Sequence, residues 1–170
     1  AASADSFEQR SIDEAYLDVS ARCRNFNEAA QLARSLKEKI QAAAGITCSI
    51  GVAPNKLVAK MASRHQKPNG LTMIEPSRVR DFIAPLPVGK IPGIGPKMEE
   101  ALAGIGVHMV AELAAYDVHK LEELVGKNKA AFLHNAANGI DESPIRQEAR
   151  KQVSRIVTLR EDTNDPTVLH

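Results

Sequence analysis

Asp13 and Glu14 are adjacent acids. In a regular strand, neighbouring side chains point to opposite faces, so the two carboxylates would not share a ligand. At a hairpin tip or a bulge they converge. A converged pair is a hard oxygen site of the kind Mg²⁺ takes together with waters and substrate phosphates. The plainer reading of the same dipeptide is an exposed polar pair on a strand edge.

A cationic stripe follows. Lys56, Lys60 and Arg64 recur on one helical face, Lys67 comes just after them, and residues 53–70 hold no acid. Such a stripe tracks a phosphate backbone or meets a triphosphate; its plainer reading is a solvated face. His65 has no second His or Cys at ligand spacing and reads as a surface residue. Further on, residues 91–106 read IPGIGPKMEEALAGIG. Gly93 and Gly95 suit a tight bend or a close approach, and Pro96 suits the first turn of a helix. Free N–H groups at that helix start, with Lys97 beside them, can take a phosphate oxygen. A second basic window, residues 144–160, holds Arg146, Arg150, Lys151, Arg155 and Arg160 against the single acid Glu148.

The elements that must position these groups can be read from periodicity and punctuation. Residues 11–20 read as a strand. Residues 27–43 read as a helix with Asn27 at its N-cap and an apolar stripe of Ala29, Leu32, Ala33, Leu36 and Ile40, stopped by Gly45. Residues 46–53 read as a strand buried on both faces, 55–65 as a helix opened by Asn55, 70–75 as a strand, and 77–84 as a helix capped by Ser77. This alternation implies helices packed on one sheet. Three prolines in residues 85–92 mark a linker or hinge. Four short helices follow, at 96–104, 109–115, 117–125 and 128–138, and 152–160 alternates like a strand.

Composition bounds the class. The 170 residues carry 22 basic and 21 acidic side chains, a net charge of +1, with 44% hydrophobic residues. That excludes a disordered or collagen-like chain. No run approaches the ~18 apolar residues of a membrane span. The first ten residues lack the basic and apolar regions of a signal peptide. Cys23 and Cys48 sit in no metal or redox spacing, which fits a cytoplasmic setting with buried thiols. A near-neutral total argues against strong nucleic-acid binding, but the charge is uneven. Residues 1–88 hold 12 basic and 9 acidic residues, and residues 89–170 hold 10 and 12. A balanced sum can thus hide two basic surfaces.

Three strings carry a resemblance. Residues 11–18 read SIDEAYLD, residues 49–70 read SIGVAPNKLVAKMASRHQKPNG, and 91–106 hold the glycine hairpin. In this order they closely resemble the Y-family, or translesion, DNA polymerases, the group that includes DNA polymerase IV. The resemblance runs over roughly residues 9–160. It implies an α+β fold: a partial palm with a mixed or antiparallel sheet and helices on one face, then a small all-helical thumb containing a helix-hairpin-helix. The boundaries it implies are a partial palm at 1–84, a hinge at 85–92, a thumb at 93–145, and at 146–170 a linker toward a little-finger domain.

By that resemblance Asp13 and Glu14 are ligands of two catalytic Mg²⁺ ions, and Lys67 reaches the triphosphate of the incoming nucleotide. Asp18 matches the string with a structural role. Gly93, Gly95, Lys97, Arg150, Lys151 and Arg155 face DNA. The carbonyls of Gly89 and Ile94 would hold a thumb-bound ion. Two metals about 4 Å apart would activate a primer 3′-hydroxyl and stabilise the leaving pyrophosphate. The partners implied are primer–template DNA, a deoxynucleoside triphosphate, and a sliding clamp through regions outside this chain; the protein is expected to be a monomer. The family pattern also includes an upstream region with a further metal-binding aspartate and the fingers, and a downstream little finger. Neither is expected in this chain. It therefore reads as a fragment of a low-fidelity, lesion-bypassing polymerase that binds DNA without extending it. The competing reading is a helix-hairpin-helix module of a repair or recombination protein, which leaves SIDEAYLD and KPNG unexplained.

Overall fold

The computed structural model describes residues 4–146. The expected strand at 152–160, together with Arg150, Lys151 and Arg155, lies outside the described residues.

The first element is a hairpin. Strand β1 (Ser6–Gln9) pairs antiparallel with β2 (Ala15–Asp18), with Gln9 opposite Ala15. The N–H groups of Arg10 and Ser11 both donate to the Glu14 carbonyl. Residues 11–14 are therefore the turn, not the start of the strand expected over 11–20. The sequence expectation also passed over β1, whose SFEQ has one buried side chain in four and no visible alternation.

Helix α1 (Phe26–Ala44) starts at Asn25 rather than Asn27. Its Oδ1 accepts the Glu28 N–H, and the Glu28 carboxylate accepts the Arg24 N–H. An acid three residues after the cap can reach back to the backbone ahead of the helix, and only Asn25 has one. Gly45, in the left-handed conformation, ends the helix by donating to the Gln41 carbonyl.

Strand β3 (Ile50–Val52) pairs parallel with β4 (Leu71–Met73). The strands thus form two two-stranded sheets among the described residues, not one. β3 is shorter than the expected 46–53 and only half-buried, because its other edge faces an open cleft rather than a neighbouring strand. Between the two strands of this sheet runs helix α2 (Lys56–His65), capped by Asn55 as its sequence predicts. α2 lies hard against β3 at Gly51, where any Cβ would collide with the Ala59 carbonyl oxygen.

After β4 the chain makes a 3-10 turn at Pro76–Arg78 and a short helix α3 (Val79–Ile83). Ser77 lies inside this turn and caps nothing, because Pro76 already occupies the first helical position. The proline-rich segment 85–92 is packed at its centre. Val88 and Ile91 are each 1% exposed, and the Val88 N–H donates to the His108 carbonyl. Four helices complete the described chain: α4 (Pro96–Ala103), α5 (Val110–Ala115), α6 (Val118–Val125) and α7 (Lys127–Ala137). All four match the sequence reading. One apolar core joins α2 to this helical region, running from Val58 and Met61 through Val79, Ile83 and Ile91 to Leu102, Leu113, Leu121 and Leu133.

Candidate nucleic-acid interface

The hairpin turn answers how two adjacent acids can converge. Asp13 and Glu14 sit at a reversal of direction, outside the paired registers, so the alternation of a strand does not separate them. Ser11 fixes Asp13, its hydroxyl donating to Oδ1 at 2.6 Å. Lys60 holds Glu14, with Nζ 2.5 Å from Oε2. The hydrogen bond from Ser11, the Asp13 N–H, and the charges of Lys67 and Lys60 hold the Asp13 carboxyl below its ordinary value. Lys60 thus acts on both acids, and Lys67 is near enough to act on one.

The basic stripe of α2 divides its work. Lys56 pairs with Glu8 of β1 at 2.8 Å, and Lys60 pairs with Glu14. Lys67 stands one loop beyond. These groups surround a cleft of about 800 Å³ between the two sheets. Asp13, Glu14, Lys60 and Lys67 line one part of it; Leu32 and Leu36 of α1 line another. His65 makes an edge-on contact with Phe82, with ring centroids 5.2 Å apart. It is occupied on the protein itself.

The glycine hairpin also forms. Gly93 has φ +97 and the Phe132 ring of α7 lies 3.1 Å from where a Cβ would be. The positive φ strains any side chain there, and a Cβ would crowd the ring. Gly95 caps α4 with Pro96 in the first turn, and nothing stands within 4 Å of its own missing Cβ. The Met98 and Glu99 N–H groups donate to the Gly95 carbonyl, whereas the N–H groups of Gly93, Gly95 and Lys97 have no acceptor among the described residues. Exposed amides at a helix start beside a lysine suit an anion. Gly89 lies against the Glu99 carboxylate, 2.5 Å from where a Cβ would be. The Ile94 N–H closes the loop onto the Ile91 carbonyl at 3.1 Å.

Comparison with known proteins decides the family. Residues 1–64 match the model of the impB/mucB/samB family, and residues 76–116 match the model of the helix-hairpin-helix motif of that same family. Together they cover more than half of the chain. A curated DNA polymerase IV of Methanosarcina mazei is 50% identical over 164 residues, which are 96% of this chain and 44% of the relative. The chain belongs to the Y family of DNA polymerases. Among other relatives, DNA polymerase IV of Saccharolobus solfataricus is 37% identical over 98% of this chain and 47% of its own length. A solved Y-family polymerase chimera superposes with TM-score 0.82 at 38% identity, covering 88% of this chain and 44% of that one. An insertion ternary complex of the Dbh polymerase gives TM-score 0.79 at 39% identity, over 85% and 42%. The chain spans less than half the length of the relatives it matches.

Two groups in this part of the Y-family chain were not visible in the sequence. Lys37 of α1 points its ammonium into the loop that follows Lys67, donating to the Cys48 carbonyl, to Asn69 Oδ1 at 2.6 Å, and to the Asn69 and Gly70 carbonyls at 3.0 and 3.3 Å. Glu8 is 5% exposed and meets Lys56 and the Arg146 N–H. Neither belongs to a local motif. Each has a partner more than 30 residues away, Asn69 for Lys37 and Lys56 for Glu8.

Proposed function

We propose that this chain is the part of a DNA-directed DNA polymerase of the translesion type that carries two metal-binding carboxylates, the triphosphate lysine and a duplex-gripping hairpin. The observation that carries the reading is the acid pair of SIDEAYLD at a hairpin turn, with Glu14 paired to Lys60 and Lys67 lining the same cleft. Low fidelity, lesion bypass and a cytoplasmic location belong to the same reading. The helix-hairpin-helix module without polymerase chemistry is not favoured, because it leaves that acid pair unexplained.

The two carboxylates fit Mg²⁺ in donor chemistry, since this ion is held by one or two carboxylates with waters and phosphates. Asp13 and Glu14 would hold it, and it would supply charge for activating a 3′-hydroxyl and stabilising pyrophosphate. The protein's own residues do the rest. Ser11 orients Asp13. Lys60 holds Glu14 on the cleft side. Lys67 offers a compact charge to the triphosphate without demanding bidentate geometry. The free amides at Gly93, Gly95 and Lys97 take a backbone phosphate of the duplex and read no sequence. The Gly89 and Ile94 carbonyls would hold a thumb-bound ion. Arg150, Lys151 and Arg155 extend the contact along the DNA. A deoxynucleoside triphosphate and primer–template DNA are the partners; a sliding clamp would bind elsewhere in the whole protein.

Primer extension tests this. The isolated 170 residues should bind primer–template DNA in a salt-sensitive way and add no nucleotide. Grafted in place of the matching region of the Methanosarcina relative, they should support extension, and Asp13→Ala should abolish it. A graft that extends equally well with Asp13→Ala would overturn the metal assignment. Extension by the isolated chain would overturn its incompleteness.

A further inference from the structure

The chain leaving the helical region does not run free over the surface. It is fastened at four successive points, three at the N-terminal end of α2 and the fourth on β1. Asn55 Nδ2 donates to the Gly139 carbonyl at 2.8 Å, while Oδ1 of the same side chain caps the Val58 N–H. Asp141 Oδ2 accepts the Leu57 N–H at 3.0 Å, and its other oxygen accepts from the N–H and hydroxyl of Ser143. Lys56 Nζ donates to the Pro144 carbonyl at 3.2 Å. Glu8 Oε2 accepts the Arg146 N–H at 2.9 Å, across 138 residues of sequence.

The last two points share one pair of side chains. Glu8 Oε2 takes both Lys56 Nζ and the Arg146 N–H, and Lys56 gives to both Glu8 and Pro144. Tyr16 of β2 lies beneath the Lys56 ammonium, 5.3 Å from ring centroid to Nζ. Glu8 is buried and ionised, and a buried carboxylate without its partners is costly. An ordinary hairpin-to-helix ion pair would need only Glu8 and Lys56. Here each member makes a further bond to the departing backbone. The same hairpin carries Asp13 and Glu14 at its turn, four residues from β1.

We propose that Glu8 and Lys56 are positioning residues: together they clasp residues 144–146 to the hairpin of the acid pair and fix where the following basic run begins. The clasp itself stands on geometry alone. Its consequence for DNA rests on the proposed function, because only a DNA-facing basic run gains from a fixed origin.

Hydrogen exchange and tryptic cleavage of the 170-residue chain test the clasp, with primer–template affinity as a separate readout. The Arg146 amide should exchange about tenfold or more slowly than an open-chain amide, as expected for a donor to a charged buried acceptor. Glu8→Ala and Lys56→Met should remove that protection and speed trypsin cleavage after Arg146, while the Leu133 amide of α7 stays protected. Lys56→Met keeps the alkyl stem over Tyr16, so it decides the matter if Glu8→Ala unfolds. Glu8→Gln should retain part of the protection, since its amide oxygen still accepts. The charge exchange, Glu8→Lys combined with Lys56→Glu, is the critical arm. It restores an ion pair, but an ammonium on β1 cannot accept the Arg146 N–H, and a carboxylate on α2 cannot donate to the Pro144 carbonyl. Thermal stability should return toward wild type while Arg146 remains unprotected. Arg146 protection that survives Lys56→Met, or returns in the exchanged variant, would overturn the clasp. A clasped chain whose DNA affinity is identical in wild type and Lys56→Met would overturn only its role toward DNA, and one that binds no DNA at all would count against the functional reading instead.

Discussion

Glu8 shows how a single residue can carry more than its position suggests. Burial pushes its carboxyl up, but the Lys56 hydrogen bond, the Arg146 N–H, and the charges of Lys56 and Arg10 outweigh that and hold it below the ordinary 4.5. Tyr16, on the neighbouring strand, is the other titratable group facing it. A carboxyl lowered in the folded state adds stability above its unfolded value, and that stability is lost as pH falls through the folded value. Urea denaturation between pH 7 and 3 should therefore show the wild type losing stability below about pH 4.5 more steeply than Glu8→Gln. Asp13, Asp18, Glu112 and Asp117 are lowered too and slope the same way, so the difference between the two proteins is the readout. Equal slopes would show that Glu8 is not held ionised by its surroundings. Nothing in the string SFEQR announces this residue. Its burial depends on a helix 48 residues away and a backbone amide 138 residues away. Asp13 and Glu14 were legible because the residues around them form a string; their place at a hairpin turn was not, since it needed β1, which has no pattern of its own.

At the scale of elements, the polar caps were legible in part, since Asn27 and Ser77 do not cap the helices expected of them. Asn55 and Asp117 each start a helix where the sequence places them, because a short side-chain acceptor before an apolar run is a local device. The two caps are nonetheless unequal. The Asp117 side chain accepts only local bonds, from the N–H groups of His119 and Lys120 in its own helix. Asn55 caps α2 and also ties down Gly139. Asn55→Ala should cost about twice the stability that Asp117→Ala does, measured by chemical denaturation. Equal losses would mean that the bond to Gly139 adds nothing. The loop after α2 gives a second prediction. Lys37 offers three protons to four oxygens of this loop and the end of the preceding segment, so it holds residues 69 and 70 from behind. The carbonyls it occupies at Cys48 and Gly70 border the place where β3 stops short of the expected 46–53. Lys37→Met should leave α2 intact and release the loop. The amide of Gly70, which donates to Ser49 Oγ at 3.1 Å, should exchange about tenfold faster while that of Val58 is unchanged. Lys37→Arg should rescue it only in part, because a planar fork cannot meet oxygens gathered around a point charge.

Across the whole molecule, apolar and polar cohesion are segregated. The core runs from α2 through the packed segment around Val88 and Ile91 into α4–α7, and it includes no residue of the β1–β2 hairpin. The hairpin is held to α2 by the Glu8–Lys56 and Glu14–Lys60 pairs, and Ile12 at its turn is 99% exposed. Part of the cleft surface beneath it is apolar and open. Stability should therefore be uneven, lowest at the element that carries the acid pair. The chain contains two tyrosines and no tryptophan, and the tyrosines fall on opposite sides of this division. Tyr16 lies on β2; Tyr116 packs against the core just after α5. With Tyr116→Phe and Tyr16→Phe as the single-tyrosine proteins, urea should shift the Tyr16 emission before the Tyr116 emission. About 1 M salt should widen the gap by weakening the ion pairs while leaving the apolar core intact. Mg²⁺ with primer–template DNA should narrow it, since a ligand that binds only the ordered hairpin stabilises it by mass action. Coincident transitions at low and high salt would show that the hairpin shares the cooperativity of the core, and that the acid pair sits on a rigid element.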